Sequence, residues 1–96
     1  MTTTPVEEGR GGGYQLQTSS FRSETEAASF ATALRQRGHR AYIEPAQLLG
    51  RGVWYRVRVG PFKTQKEAAL YRSEFERKEH LVPFIVEPPK DKAKSP

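Results

Sequence analysis

Residues 55–71 read YRVRVGPFKTQKEAALY, and residues 14–30 read YQLQTSSFRSETEAASF. Slid 41 positions along the chain, the second of these segments falls on the first, with Tyr14 on Tyr55, Phe21 on Phe62 and Glu26-Ala27-Ala28 on Glu67-Ala68-Ala69. Each copy opens with alternating side chains, the two-residue period of a strand. Each then reaches a hydroxyl residue, Ser23 or Thr64, with a glutamate three places on. That pattern is a capping box: the hydroxyl accepts from a free amide of the first helical turn and the glutamate reaches back toward the cap. Apolar residues then recur at Ala27, Phe30, Ala31 and Leu34, and at Ala68, Tyr71 and Phe75, as one stripe of a helix. Arg35, Arg37, Arg77 and Lys78 gather near the helix ends, where they complement the negative end of the dipole, and Gly38 is a natural stop.

The repeat extends, after a two-residue slip, to AYIEP (41–45) and FIVEP (84–88). Strands are expected over residues 14–20, 40–44, 53–59 and 83–87, with Pro45 and Gly50-Arg51-Gly52 separating the middle pair. The order is βαββαβ. The expected fold is α+β, a four-stranded antiparallel sheet with two helices on one face, ferredoxin-like or RNP-like. Alternation assigns Leu16, Ala41, Ile43, Val57, Val59, Phe84 and Val86, with Tyr14 and Tyr55, to the helix side. It leaves Gln15, Gln17, Tyr42, Trp54, Arg56, Arg58 and Ile85 on the open face.

Composition narrows the function. The chain of 96 residues is 28% charged with a net charge of +5, and the segment between its two ends keeps most of that surplus, which favours acidic partners. The absence of cysteine rules out disulfides and thiolate chemistry and leaves the redox compartment open. No apolar run is long enough to span a membrane, and the first 13 residues lack the apolar core of a signal peptide. The chain is therefore read as a piece of a larger protein: a disordered leader over 1–13, one domain over 14–88 and a disordered tail over 89–96.

The order YQLQTSSF, a helix with Ala27-Ala28 and Leu34, Gly38, WYRVRVGPF (54–62) and Glu67-Ala68-Ala69 resembles the SPOR domain, a peptidoglycan-binding module of bacterial cell-envelope and division proteins. The similarity spans about residues 14–87, and Leu16-Gln17 with the Arg56–Phe62 run is its most specific part. The resemblance implies an open sheet face that binds glycan strands denuded of stem peptides and brings its parent protein to the septum, in the periplasm or cell envelope. The family's functional glutamine falls on Gln17, its small polar residue at the end of the first strand on Ser20, and its aromatic at the start of the third strand on Trp54. Ser19 stands where many members have glycine.

The expected glycan-binding residues are Gln17, Ser20, Trp54 and Arg58, supported by Arg56, Gln15 and Tyr42. Arginine pairs with the lactyl carboxylate of peptide-free muramic acid. Trp54 and Tyr42 offer flat surfaces to sugar rings, and the amides and hydroxyl match sugar hydroxyl and N-acetyl groups. Each residue also has a plainer role: Trp54 against the Leu48-Leu49 loop, Arg56 and Arg58 as solvated charges, Gln15 and Gln17 as exposed strand residues, Ser20 as a turn cap. The alternative function is single-stranded RNA binding, because RRM domains share the βαββαβ order and a basic open sheet; WYRVRVGPF lacks their aromatic motif. No nucleophile–base pair, metal constellation or phosphate loop points to an enzyme or a cofactor, and His39 and His80 are expected in linker or cap roles. The expected state is a monomeric, non-catalytic module.

Overall fold

The computed structural model describes residues 6–88. Its elements are β1 (Tyr14–Phe21), α1 (Glu24–Gln36), β2 (Ala41–Leu48), β3 (Gly52–Phe62), α2 (Gln65–Glu79) and β4 (Phe84–Val86), the βαββαβ order expected. The strands form one antiparallel sheet in the order β2-β3-β1-β4. Both helices begin as the capping boxes require: Glu26 N–H donates to Ser23 Oγ at 3.2 Å, and Glu67 N–H to Thr64 Oγ1 at 3.1 Å. The Glu67 carboxylate reaches back one residue past the cap, accepting from Lys63 N–H at 3.2 Å. Beyond α1 the chain turns through Gly38 at φ +101°, a left-handed conformation that costs glycine little. α2 ends instead on His80 at φ 59°, whose N–H caps the Glu76 carbonyl at 3.0 Å.

The core lies between the sheet and the helix pair. Leu16, Ala41, Val57 and Val59 meet Ala27, Ala31, Leu34, Ala68 and Phe75 there. Positions matched by the 41-residue shift hold equivalent places in it, as Leu16 and Val57, Ala27 and Ala68, and Leu34 and Phe75 do.

Three features of the sheet differ from the sequence reading. β2 runs through Pro45 to Leu48, and Pro45 lies opposite Tyr55. β2 is an edge strand, where a residue without an N–H breaks no ladder. In β4 the faces are reversed: Ile85 pairs with Leu16 and packs on the core, whereas Phe84 and Val86 pair with Gln17 and Gln15 on the open face. A strand of three apolar residues, FIV, has no alternation from which to read its face. In β1, the register slips by one between Gln17 and Ser19. Thr18 bulges there, its hydroxyl donating to the Val57 carbonyl at 3.1 Å. Ser19 consequently pairs with Val57 on the core side and Ser20 with Arg56 on the open side, the opposite of strict alternation.

Of the expected leader, residues 6–13 are described, and they are held against the domain. Residues 1–5 and the expected tail, 89–96, lie outside the described residues. Val6 N–H donates to the Arg35 carbonyl at 3.0 Å, Arg35 Nε–H donates back to the Val6 carbonyl at 3.3 Å, and Gly9 N–H donates to the Ala41 carbonyl at 3.4 Å. From the end of α1 this strap passes the mouth of the β2–β3 pair and turns at Gly11–Gly13 into β1. A Cβ on Gly9 would collide with the Arg40 and Gly60 carbonyls. Gly9→Ala is therefore expected to lift the strap, and faster hydrogen exchange at the Val6 amide is the readout; unchanged protection there would mean that the passage has slack.

Candidate functional site

The open face is ordered by register into rows that cross the sheet. Tyr42, Arg58, Gln17 and Phe84 form the central row, Glu44, Arg56 and Ser20 the next, and Ala46 with Trp54 the row nearest the β2–β3 turn. Gln17 and Arg58 meet where β1 and β3 pair, and Arg58 Nε–H donates to Gln17 Oε1 at 3.2 Å. This bond fixes the guanidinium across the middle of the sheet. Arg56 is half-buried and Ser20 exposed one row away.

Trp54 lies half-buried on this face. The Arg22 guanidinium carbon sits 5.1 Å from the ring centroid, a cation–π contact that the sequence reading did not include. Arg22 follows Ser20 by two residues, so the bulge at Thr18 that turns Ser20 outward does the same for Arg22. Arg22, Arg56 and Arg58 form no ion pair among the described residues, although Glu44 stands opposite Arg56 in the register. The face therefore carries uncompensated positive charge.

Two expected site residues share the face but not its surface. Gln15 is 3% exposed and Tyr42 6%. The strap covers them: Gln15 Nε2 donates to the Arg10 carbonyl at 3.0 Å and the Gly13 carbonyl at 3.3 Å, and Gly11 lies over the Tyr42 hydroxyl. Burial pushes the Tyr42 phenol above its ordinary pKa, partly offset by the neighbouring Arg58 guanidinium. A hollow of about 180 Å³ remains beside them, with Arg58, Glu44 and Val86 in its lining. Phe84, 58% exposed at the other edge of the central row, is an apolar surface that the reversed parity of β4 brings to the face.

The histidines lie away from this face. His80 is an exposed cap, and His39 is buried between the helices and bonded to Tyr71 and Glu79. Among the described residues no group of three or more His, Asp or Glu side chains is placed to hold a metal ion. No described helix is long and apolar enough to cross a membrane.

A sheet backed by two helices, with a shallow face of guanidiniums, an amide, a hydroxyl and an indole, defines a small surface-binding module of the ferredoxin-like architecture. A family model, SPOR domain, matches residues 10–87, and the chain belongs to that family of peptidoglycan-binding modules of the bacterial cell envelope, which bind rather than catalyse. The fold is also similar to the crystal structure of the RlpA SPOR domain from Pseudomonas aeruginosa, with a TM-score of 0.64 at 21% identity, over 79% of this chain and 100% of that one. No curated protein sequence matches the chain.

Proposed function

We propose that the open face binds glycan strands denuded of their stem peptides, and that the module thereby brings a larger envelope protein, membrane-anchored or secreted, to the division septum. The observation that carries this reading is the alignment of three guanidiniums, Arg22, Arg56 and Arg58, that lack carboxylate partners among the described residues, beside Trp54, Gln17 and Ser20. Removing the stem peptide from muramic acid leaves a lactyl carboxylate, and a guanidinium already oriented by Gln17 meets it with little further ordering. Trp54 and Phe84 supply apolar surface for sugar rings, and Ser20 a hydroxyl. Gln15 and Tyr42 act beneath the strap as its supports. The RNA alternative requires aromatics in the middle of the face for base stacking; the middle is occupied by Arg58, Arg56 and Gln17, with Tyr42 covered.

Co-sedimentation with purified sacculi, untreated or pre-digested with an amidase, tests the reading. Binding is expected to rise on the digested sacculi and to fall at least about tenfold in Trp54→Ala and in Arg58→Ala, with the tryptophan variant still folded and unfolding cooperatively. Equal binding to both preparations would reduce the interaction to bulk charge attraction.

A further inference from the structure

A second concave feature lies outside the glycan platform. Where the strap turns, a cleft of about 530 Å³ is lined by the Gly11–Gly13 turn, Arg10, Arg40, Phe62 and Lys63, among others. The three glycines also border the smaller hollow on the open face, so their turn is the wall between the two. At Gly13 this wall leaves no room for a side chain, since a Cβ would meet the Phe62 carbonyl oxygen at 2.6 Å.

The charge in the cleft is one-sided. Of the described residues, three basic side chains line it and no aspartate or glutamate does. Among the described residues, Arg10, Arg40 and Lys63 find no side-chain hydrogen bond or ion pair, whereas Arg37, Arg72 and Arg77 each pair with a glutamate. Arg40 is the most committed of the three: it is half-buried, and its Nε is buried with no acceptor. Three cations held around one hollow repel each other, and a buried guanidinium N–H without an acceptor is costly. An oxyanion seated between them relieves that repulsion, and a guanidinium fork fits its geometry.

We propose that this cleft is a second binding site, separate from the glycan platform, for an oxyanion group, a phosphate or a carboxylate. Arg40 is the anchor, Lys63 and Arg10 complete the charge, and the glycine turn gives the anion close access to bare backbone. The site places an anionic substituent or neighbouring polymer at the end of the sheet while the open face engages a strand.

The test is an amide NMR titration of the full 96-residue chain with inorganic phosphate and, separately, with acetate, each against sodium chloride at matched ionic strength. Saturating shifts are expected at the amides of Gly11, Gly12, Gly13 and Lys63. Saturation by phosphate alone assigns the site to phosphate groups, and saturation by acetate extends it to carboxylates. Arg40→Gln combined with Lys63→Gln is expected to weaken the response at least about tenfold, whereas Arg51→Gln at the β2–β3 turn leaves it unchanged. Lys63→Gln alone, at an exposed position, carries the comparison if the double variant loses its dispersed spectrum. Shifts that never saturate at these amides, or that survive in the variants, would overturn the proposal. No glycan enters the measurement, so its outcome is independent of the platform reading.

Discussion

Phe75→Ala is expected to lower the stability of the domain by about 3–5 kcal/mol, the range for removing a fully buried aromatic ring. Phe75 has no exposed surface and is, with Ala68, one of two buried residues on α2. Its ring also packs edge-on against His39, with the centroids 4.7 Å apart. The rest of α2 is largely polar, so the helix is fastened to the sheet chiefly through this side chain. In a domain this small the loss takes a large share of a total of roughly 5–15 kcal/mol, and about 1 kcal/mol corresponds to roughly 4–8 °C of melting temperature. A drop of at least about 12 °C in thermal unfolding is therefore expected. A shift of only a few degrees would show that α2 is held by its partly buried Tyr71 and by Leu81 just beyond its end, both neighbours of the core.

Glu79→Ala is expected to cost about 2–3 kcal/mol, because it strands a buried partner. The Glu79 carboxylate, with 7% of its side chain exposed, accepts from Arg37 Nε–H at 2.6 Å and from His39 Nε2–H at 2.7 Å. In the neutral ring this leaves His39 Nδ1 as acceptor for the Tyr71 hydroxyl, at 2.6 Å. The resulting chain of four side chains ties the end of α1 to α2. Burial by itself would raise the carboxyl pKa; the bonds from His39 and Arg37, with the Arg37 charge, outweigh it and hold Glu79 below the ordinary 4.5. A depressed carboxyl pKa means that the stabilisation is complete above the unfolded-state value and is lost as pH falls through the lower folded-state value. Melting temperatures measured from neutral pH downward should fall below about pH 4.5 in the native chain, and Glu79→Gln should flatten that part of the curve. An unchanged acid limb in the glutamine variant would sink the assignment. Tyr71 shares the network, and burial together with the Glu79 charge pushes its phenol upward.

The elements and their order were legible because they rest on local chemistry. Ser23 and Thr64 cap their helices through bonds spanning three residues, and the stripes from Ala27 and Ala68 bury as their spacing requires. Trp54, Arg56 and Arg58 reach the open face because alternation holds along β3, and Gln17 because it precedes the bulge of β1 and pairs with Arg58. Ser20 reaches it through a bulge that only pairing with β3 produces, and Arg22 with it. Phe84 and Ile85 exchange faces because the register of β4 is set by β1 rather than by its own three residues.

The strap was beyond local reading for a related reason. Glycine-rich composition signals a chain without a core of its own, and Gly9 and Gly13 are also the residues that permit the close backbone passage seen here. That passage covers Gln15 and Tyr42 and walls off a basic cleft. The amino-acid sequence by itself determined the two capped helices, the βαββαβ order and the basic, amide-bearing middle of the sheet, since hydrogen bonds three residues apart and side-chain periodicity decide these. Which of the face residues stay uncovered was decided only by tertiary structure, because strand register, the bulge and the path of the strap depend on contacts between segments far apart in the chain.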